Sequence, residues 1–154
     1  MGMKTFDNLD QLAAMAGQVV ATSGWTTITQ QQIQQFADAT GDQQWIHTDP
    51  VRAHAGPFGS TIAHGFLTLS LIPKFFDECL DVKQSRMGVN YGLNKVRFIS
   101  PVPVDSRLRG QLKLLSSSPI EPAGAVQMVW EVTVEREGSD KPVCVAESIV
   151  RRYV

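Results

Sequence analysis

Cysteine is nearly absent: Cys79 and Cys144 are the only two in 154 residues, they stand far apart, and no CxxC spacing occurs. That leaves no basis for a disulfide framework, and the pair reads as reduced thiols packed as small hydrophobes. A surplus of positive charge is also missing. Fourteen Lys and Arg face fifteen Asp and Glu, with a pI near 6.3, so nothing is available to neutralise a phosphate backbone and nucleic-acid binding is disfavoured. The first seven residues, Met1 to Asp7, hold no apolar run of the signal-peptide kind. The longest apolar stretch, Ile62 to Leu80, is interrupted by His64, Lys74, Asp77 and Glu78. These absences predict a soluble, cytoplasmic protein. No repeat or low-complexity tract divides the chain, and Ser116 to Pro122 reads as a loop rather than a linker. With 43% hydrophobic residues, a single domain over 1–154 is expected.

What is present falls into two halves. In the first, Asp10 to Ala16 reads as a short helix, and Thr29 with Gln32 three residues on is a capping-box pattern announcing a second. Ile33, Phe36 and Ala37 form the buried stripe of that helix, and Gly41 supplies a residue able to take positive φ at its end. A polar, turn-rich connector follows, through Asp49-Pro50 and Gly56-Pro57 to Gly59. From Thr61 to Leu80 the apolar residues Ile62, Phe66, Leu67, Leu69, Leu71, Ile72, Phe75 and Phe76 cover nearly the whole circumference of a helix, which must therefore be buried. Pro73 removes a donor and is expected to kink it.

The second half supplies the wrapping. Arg107 to Leu114, then Val126 to Val134, alternate apolar and polar residues as half-buried strands do. Arg136 to Asp140 makes a polar reversal into a last strand, Val143 to Tyr153, which predicts antiparallel hairpins. Val89, Tyr91 and Leu93 lie in one phase and Val96 and Phe98 in the other, so a β-bulge is expected around Asn94-Lys95. The sum is an α+β hot-dog fold, a curled antiparallel sheet around one long apolar helix.

The connector carries the chemistry. Asp42-Gln43-Gln44-Trp45-Ile46-His47 sets an acid and an imidazole close together, upstream of a helix whose first turn holds Gly65. That is the equipment for adding or removing water. Five positions apart, Asp42 and His47 cannot share a helical face, but in a bent segment they can converge on one water.

Gly41-Asp42, Ile46-His47, Asp49-Pro50 and Gly59-Ser60-Thr61-Ile62-Ala63-His64-Gly65 resemble the signature of the MaoC-like dehydratases, most nearly the R-specific enoyl-CoA hydratases. The likeness continues through Asn90 to Phe98 and Pro101-Val102, and spans the chain from about Thr26 onward. The resemblance implies a hot-dog homodimer that adds water to a trans-2-enoyl-CoA to give the (R)-3-hydroxyacyl-CoA. It also implies no metal or redox cofactor, coenzyme A entering as part of the substrate. The family's catalytic Asp and His fall on Asp42 and His47. Many members have Asn-Pro where this chain has Gln44-Trp45, and an indole beside the catalytic His can reshape the acyl channel.

Hydration needs a base for the water and an acid for the α-carbon in the same turnover, and Asp42 and His47 are assigned to these tasks jointly. Negative charge building on the thioester oxygen needs donors already in place. The unpaired N–H groups at a helix start offer them, and Gly65, lacking a side chain, lets a carbonyl approach its own N–H. Gly65 also fits the plainer reading of a packing glycine. His64 reads as a locally bonded or dimer-contact imidazole, and His54 as solvated. His47, His54 and His64 lack the short spacing of usual zinc sites, so no metal is expected. The candidates for the coenzyme's phosphates are Lys83, Arg86, Lys95, Arg97, Arg107, Arg109, Arg151 and Arg152. Two other functions fit such a pocket. One is an acyl-CoA thioesterase, for which Asp77 and Glu78 lie far along the helix; the other is a non-catalytic acyl-CoA binding module.

Overall fold

The computed structural model describes residues 2–154. Strand β1 (Lys4–Phe6) and helix α1 (Leu9–Ala13) come first, followed by the short strands β2 (Val19–Thr22) and β3 (Thr26–Thr27). Helices α2 (Gln30–Thr40), α3 (Trp45–Thr48), α4 (Pro50–His54), α5 (Gly65–Ser70) and α6 (Ile72–Cys79) follow in series. Strand β4 (Leu80–Val82) leads to the long strands β5 (Met87–Arg97), β6 (Arg107–Pro119), β7 (Val126–Arg136) and β8 (Cys144–Tyr153).

The main sheet is antiparallel throughout, in the order β2-β6-β7-β8-β5, with β3 also on β6. A separate parallel pair joins β1 to β4. Alternation along the strands sends Leu108, Leu112, Leu114, Met128, Trp130, Val132, Val134, Cys144 and Ala146 into the core, each essentially unexposed. Helix α6 lies against that face through Ile72, Phe75 and Phe76, and the Phe76 ring meets Trp130 edge-on at 4.9 Å between centroids. Gly110 is what lets them approach, since a Cβ there would stand 2.7 Å from the Phe75 ring. This is the hot-dog arrangement read from the sequence, with the bulge found where expected, between Leu93 and Lys95, and a second between Asn90 and Gly92.

Four expectations need correction. The buried helix does not run from Thr61 to Leu80: it starts at Gly65 and breaks at Leu71, so that Pro73 sits in the first turn of a new helix rather than at a kink. Phe66, expected inside, is 69% exposed. The serines of Ser116 to Pro119 continue β6 against Val126–Val129 of β7, and the chain reverses only beyond them. In the connector, α3 and α4 add two short helical turns to a stretch read as turns alone.

Candidate active site

The Thr29 hydroxyl and the Gln32 side chain close the capping box of α2, and Gly41 ends that helix at φ 85°. The chain thereby swings back across its own helix, carrying Asp42 into a bend and His47 onto α3. Ile62 N–H donates to the Ile46 carbonyl at 3.0 Å, and Ala63 N–H to the Val102 carbonyl at 2.8 Å. Val104 N–H in turn donates to Thr61 O at 3.0 Å. Residues 61–63 thus spend backbone groups on neighbouring strips, which is why helix cannot begin before Gly65. Gln30 ties these strips together: its amide donates to the His47 carbonyl at 2.8 Å, and its carbonyl oxygen accepts the Thr61 hydroxyl.

The His47 ring is buried, and its Nδ1–H donates to the Ile62 carbonyl at 2.7 Å. In neutral imidazole this leaves Nε2 as a bare acceptor, the form a general base needs. Burial pushes the His47 pKa below 6.5, and His64 adds to the depression, while the Ile62 bond and the Asp42 charge oppose it. The ring is therefore neutral at neutral pH.

His64 lies directly on it. The two imidazoles stack with centroids 3.8 Å apart and planes 22° apart, and Phe36 closes the other side at 4.9 Å. His64 Nε2–H donates to the Asp42 backbone carbonyl at 3.0 Å, fixing the bend that carries the carboxylate. Asp42 itself is exposed, with Oδ1 accepting from Gln44 N–H at 3.3 Å. Ligand atoms of Asp42, His47 and His64 lie within 4.8 Å of one another. Two ordinary hydrogen bonds span up to about 5.6 Å, so one water can bridge carboxylate and imidazole.

A cavity of about 330 Å³ opens beside this group, lined by His47, Gly65, Thr68, Phe58, Phe98 and Val102 among others. Gly65 is the first residue of α5, so its N–H has no acceptor within the helix. A Cβ on Gly65 would come within 3.1 Å of the Phe98 ring. Asp42 and His47 are thus brought together and His47 shares the cavity with Gly65, although Asp42 is not in its lining. Trp45 does not reach the cavity: its indole packs against Gly56 and under Arg52, whose guanidinium lies 4.3 Å from the ring centroid. His54 is exposed, as expected.

Sequence reasoning left out Gln30 and Thr68. The Thr68 hydroxyl is buried with no hydrogen-bond partner, as is His64 Nδ1 four residues earlier. Its signal was the i,i+3 spacing from Gly65, which sets both on one helix face.

The spacing argument against a metal overlooked this convergence, since folding unites an acid and two histidines. Their geometry suits an ion poorly. One nitrogen of each ring is committed to a carbonyl, and lone pairs lying in two stacked planes 3.8 Å apart cannot both point at one cation.

The family model described as a MaoC like domain matches residues 11–136. The chain belongs to the MaoC-like dehydratases. Membership of that family makes it an enzyme of the carbon–oxygen lyase type. Among similar proteins, the 3-hydroxyacyl-thioester dehydratase Z of Mycobacterium tuberculosis is 56% identical over 149 residues, covering 97% of this chain and 98% of the relative. Nodulation protein N of Rhizobium meliloti is 44% identical, covering 92% and 89%. The unliganded R-hydratase PhaJ1 of Pseudomonas aeruginosa superposes with a TM-score of 0.66 at 26% identity, covering 88% of this chain and 79% of that one. This MaoC-like dehydratase has no helix long and apolar enough to cross a membrane among the described residues.

Proposed function

We propose that the protein hydrates trans-2-enoyl-CoA to (R)-3-hydroxyacyl-CoA, and runs the dehydration in reverse, in the cytoplasm and without a metal or redox cofactor. The observation that carries this reading is a buried, neutral His47, held by the Ile62 carbonyl through Nδ1, with a ring nitrogen within 4.8 Å of an Asp42 carboxylate oxygen and the Gly65 N–H at the start of the neighbouring helix. A relative named as a 3-hydroxyacyl-thioester dehydratase and a similar structure named as an R-hydratase support it.

Water held between Asp42 and His47 loses a proton to the pair as its oxygen bonds to the β-carbon. The electrons of the double bond move onto the thioester oxygen, to which the Gly65 N–H donates a hydrogen bond. The pair then returns a proton to the α-carbon, so atoms balance and nothing is left on the enzyme. Because both transfers come from one side of the substrate, a single product configuration follows. Lys95 and Arg97 line a separate cavity with Glu131 and Glu147 that meets the site cavity at Ile99, and they are candidates for the coenzyme's phosphates. Arg107 and Arg109 are engaged by Glu137 and Glu135. We also propose a homodimer formed along β5, whose outer edge pairs with nothing among the described residues and exposes Val89, Tyr91 and Leu93.

The test follows loss of the conjugated thioester's absorbance together with free thiol. Absorbance loss without thiol is expected; thiol release would instead mean hydrolysis, and no change would favour a binding module. Asp42→Asn and His47→Gln are each expected to lower kcat by about 10²–10⁴-fold with the fold retained by circular dichroism. Near-normal turnover by either variant would overturn the roles.

A further inference from the structure

Two more cavities lie end to end between the α5–α6 pair and strands β5 and β8, sharing Ile72, Pro73 and Asn90. The first, about 400 Å³, is lined by apolar groups including Phe66 and Leu69. It shares no lining residue with the cavity beside His47, but Phe66 follows Gly65 in the chain and its ring meets Phe98 of that cavity's lining edge-on at 5.9 Å. The second, about 130 Å³, ends on Arg152 and Asp77.

Strand alternation explains the arginine. Ser148, Val150 and Arg152 face the helices, whereas Arg151 turns to the other side and is fully occupied, stacked 3.6 Å from the Tyr91 centroid and donating to Gln127. The Arg152 side chain makes no hydrogen bond or ion pair among the described residues, and its Nε is buried without a partner. Burial lowers its pKa and the Asp77 charge opposes that, but a guanidinium stays protonated in proteins.

We propose that Arg152, with Asp77, forms a polar end wall to the acyl channel and caps the length of acyl chain the enzyme accepts. This rests on the hydratase reading above. Each methylene moved into the apolar section raises binding about fourfold. One that reaches Arg152 displaces water from a cation and offers no acceptor in return. A chain ending in a hydroxyl escapes that loss, since it accepts from the guanidinium and donates to the carboxylate.

The experiment compares kcat/KM across methyl-terminated trans-2-enoyl-CoA substrates of increasing length for wild type and Arg152→Met. Wild type is expected to rise and then fall by about tenfold or more past one length. The variant should move the fall to longer chains. On wild type alone, a terminal hydroxyl on the first disfavoured chain should restore most of the lost rate, a readout that does not depend on the variant folding. Superimposable length profiles, or no gain from the hydroxyl, with crotonyl-CoA still hydrated, would overturn the end wall alone. Failure of wild type to hydrate crotonyl-CoA would overturn the hydratase reading and this inference with it.

Discussion

His47 feels opposing forces: lost solvation favours the neutral ring, while a carboxylate and a carbonyl favour the charged one, and burial wins. A protonated ring has no lone pair to offer, so activity is lost as pH falls through the depressed pKa and is flat above it. The kcat/KM profile is expected to show an acid limb with its midpoint below 6.5, the ordinary value. A midpoint above that value would contradict the assignment. Stability moves in the same direction. The unfolded chain takes up this proton at higher pH than the folded one, so His47 contributes fully above 6.5 and less as pH falls through its folded pKa. That Asp42 and His47 lie close together was legible chiefly through the family resemblance, since an Asp and a His in a turn on their own more often serve the turn. The role of His64 was not, because its partners, a carbonyl 22 positions away and a facing ring, are tertiary.

At the scale of elements, local signals were read correctly and competing ones were not. Thr29, Gln32 and Gly41 act on groups within a turn of themselves, so α2 was visible at both ends. The start of α5 was not, since apolar composition cannot show that residues 61–63 bond to residues 46, 102 and 104. Strand β6 likewise outlasts its serine-rich tail because β7 supplies the ladder partners. Gly110 gives the clearest test of how sheet and helix meet. Gly110→Ala places a methyl against Phe75 and is expected to destabilise the fold by about 1–3 kcal/mol, read as a lower urea midpoint with unchanged slope. An unchanged midpoint would mean that α6 can move away freely.

Across the whole molecule, one sheet edge carries β2 and β3 and the other is β5, where exposed Val89 and Tyr91 accompany an unpaired backbone. Val89→Lys sets a charge on that edge outside the cavity linings. It is expected to shift sedimentation from dimer to monomer and to reduce turnover; a monomeric wild type would remove the basis for this. The resemblance implied a homodimer, but not that the edge strand would also line a cavity. That double use has a further result. Asn90 to Leu93 line the first section of the proposed acyl channel, so the proposed homodimer would complete the enclosure for the substrate. Dilution is then expected to lower specific activity while sheet and core persist, read as turnover per enzyme falling at trace concentration.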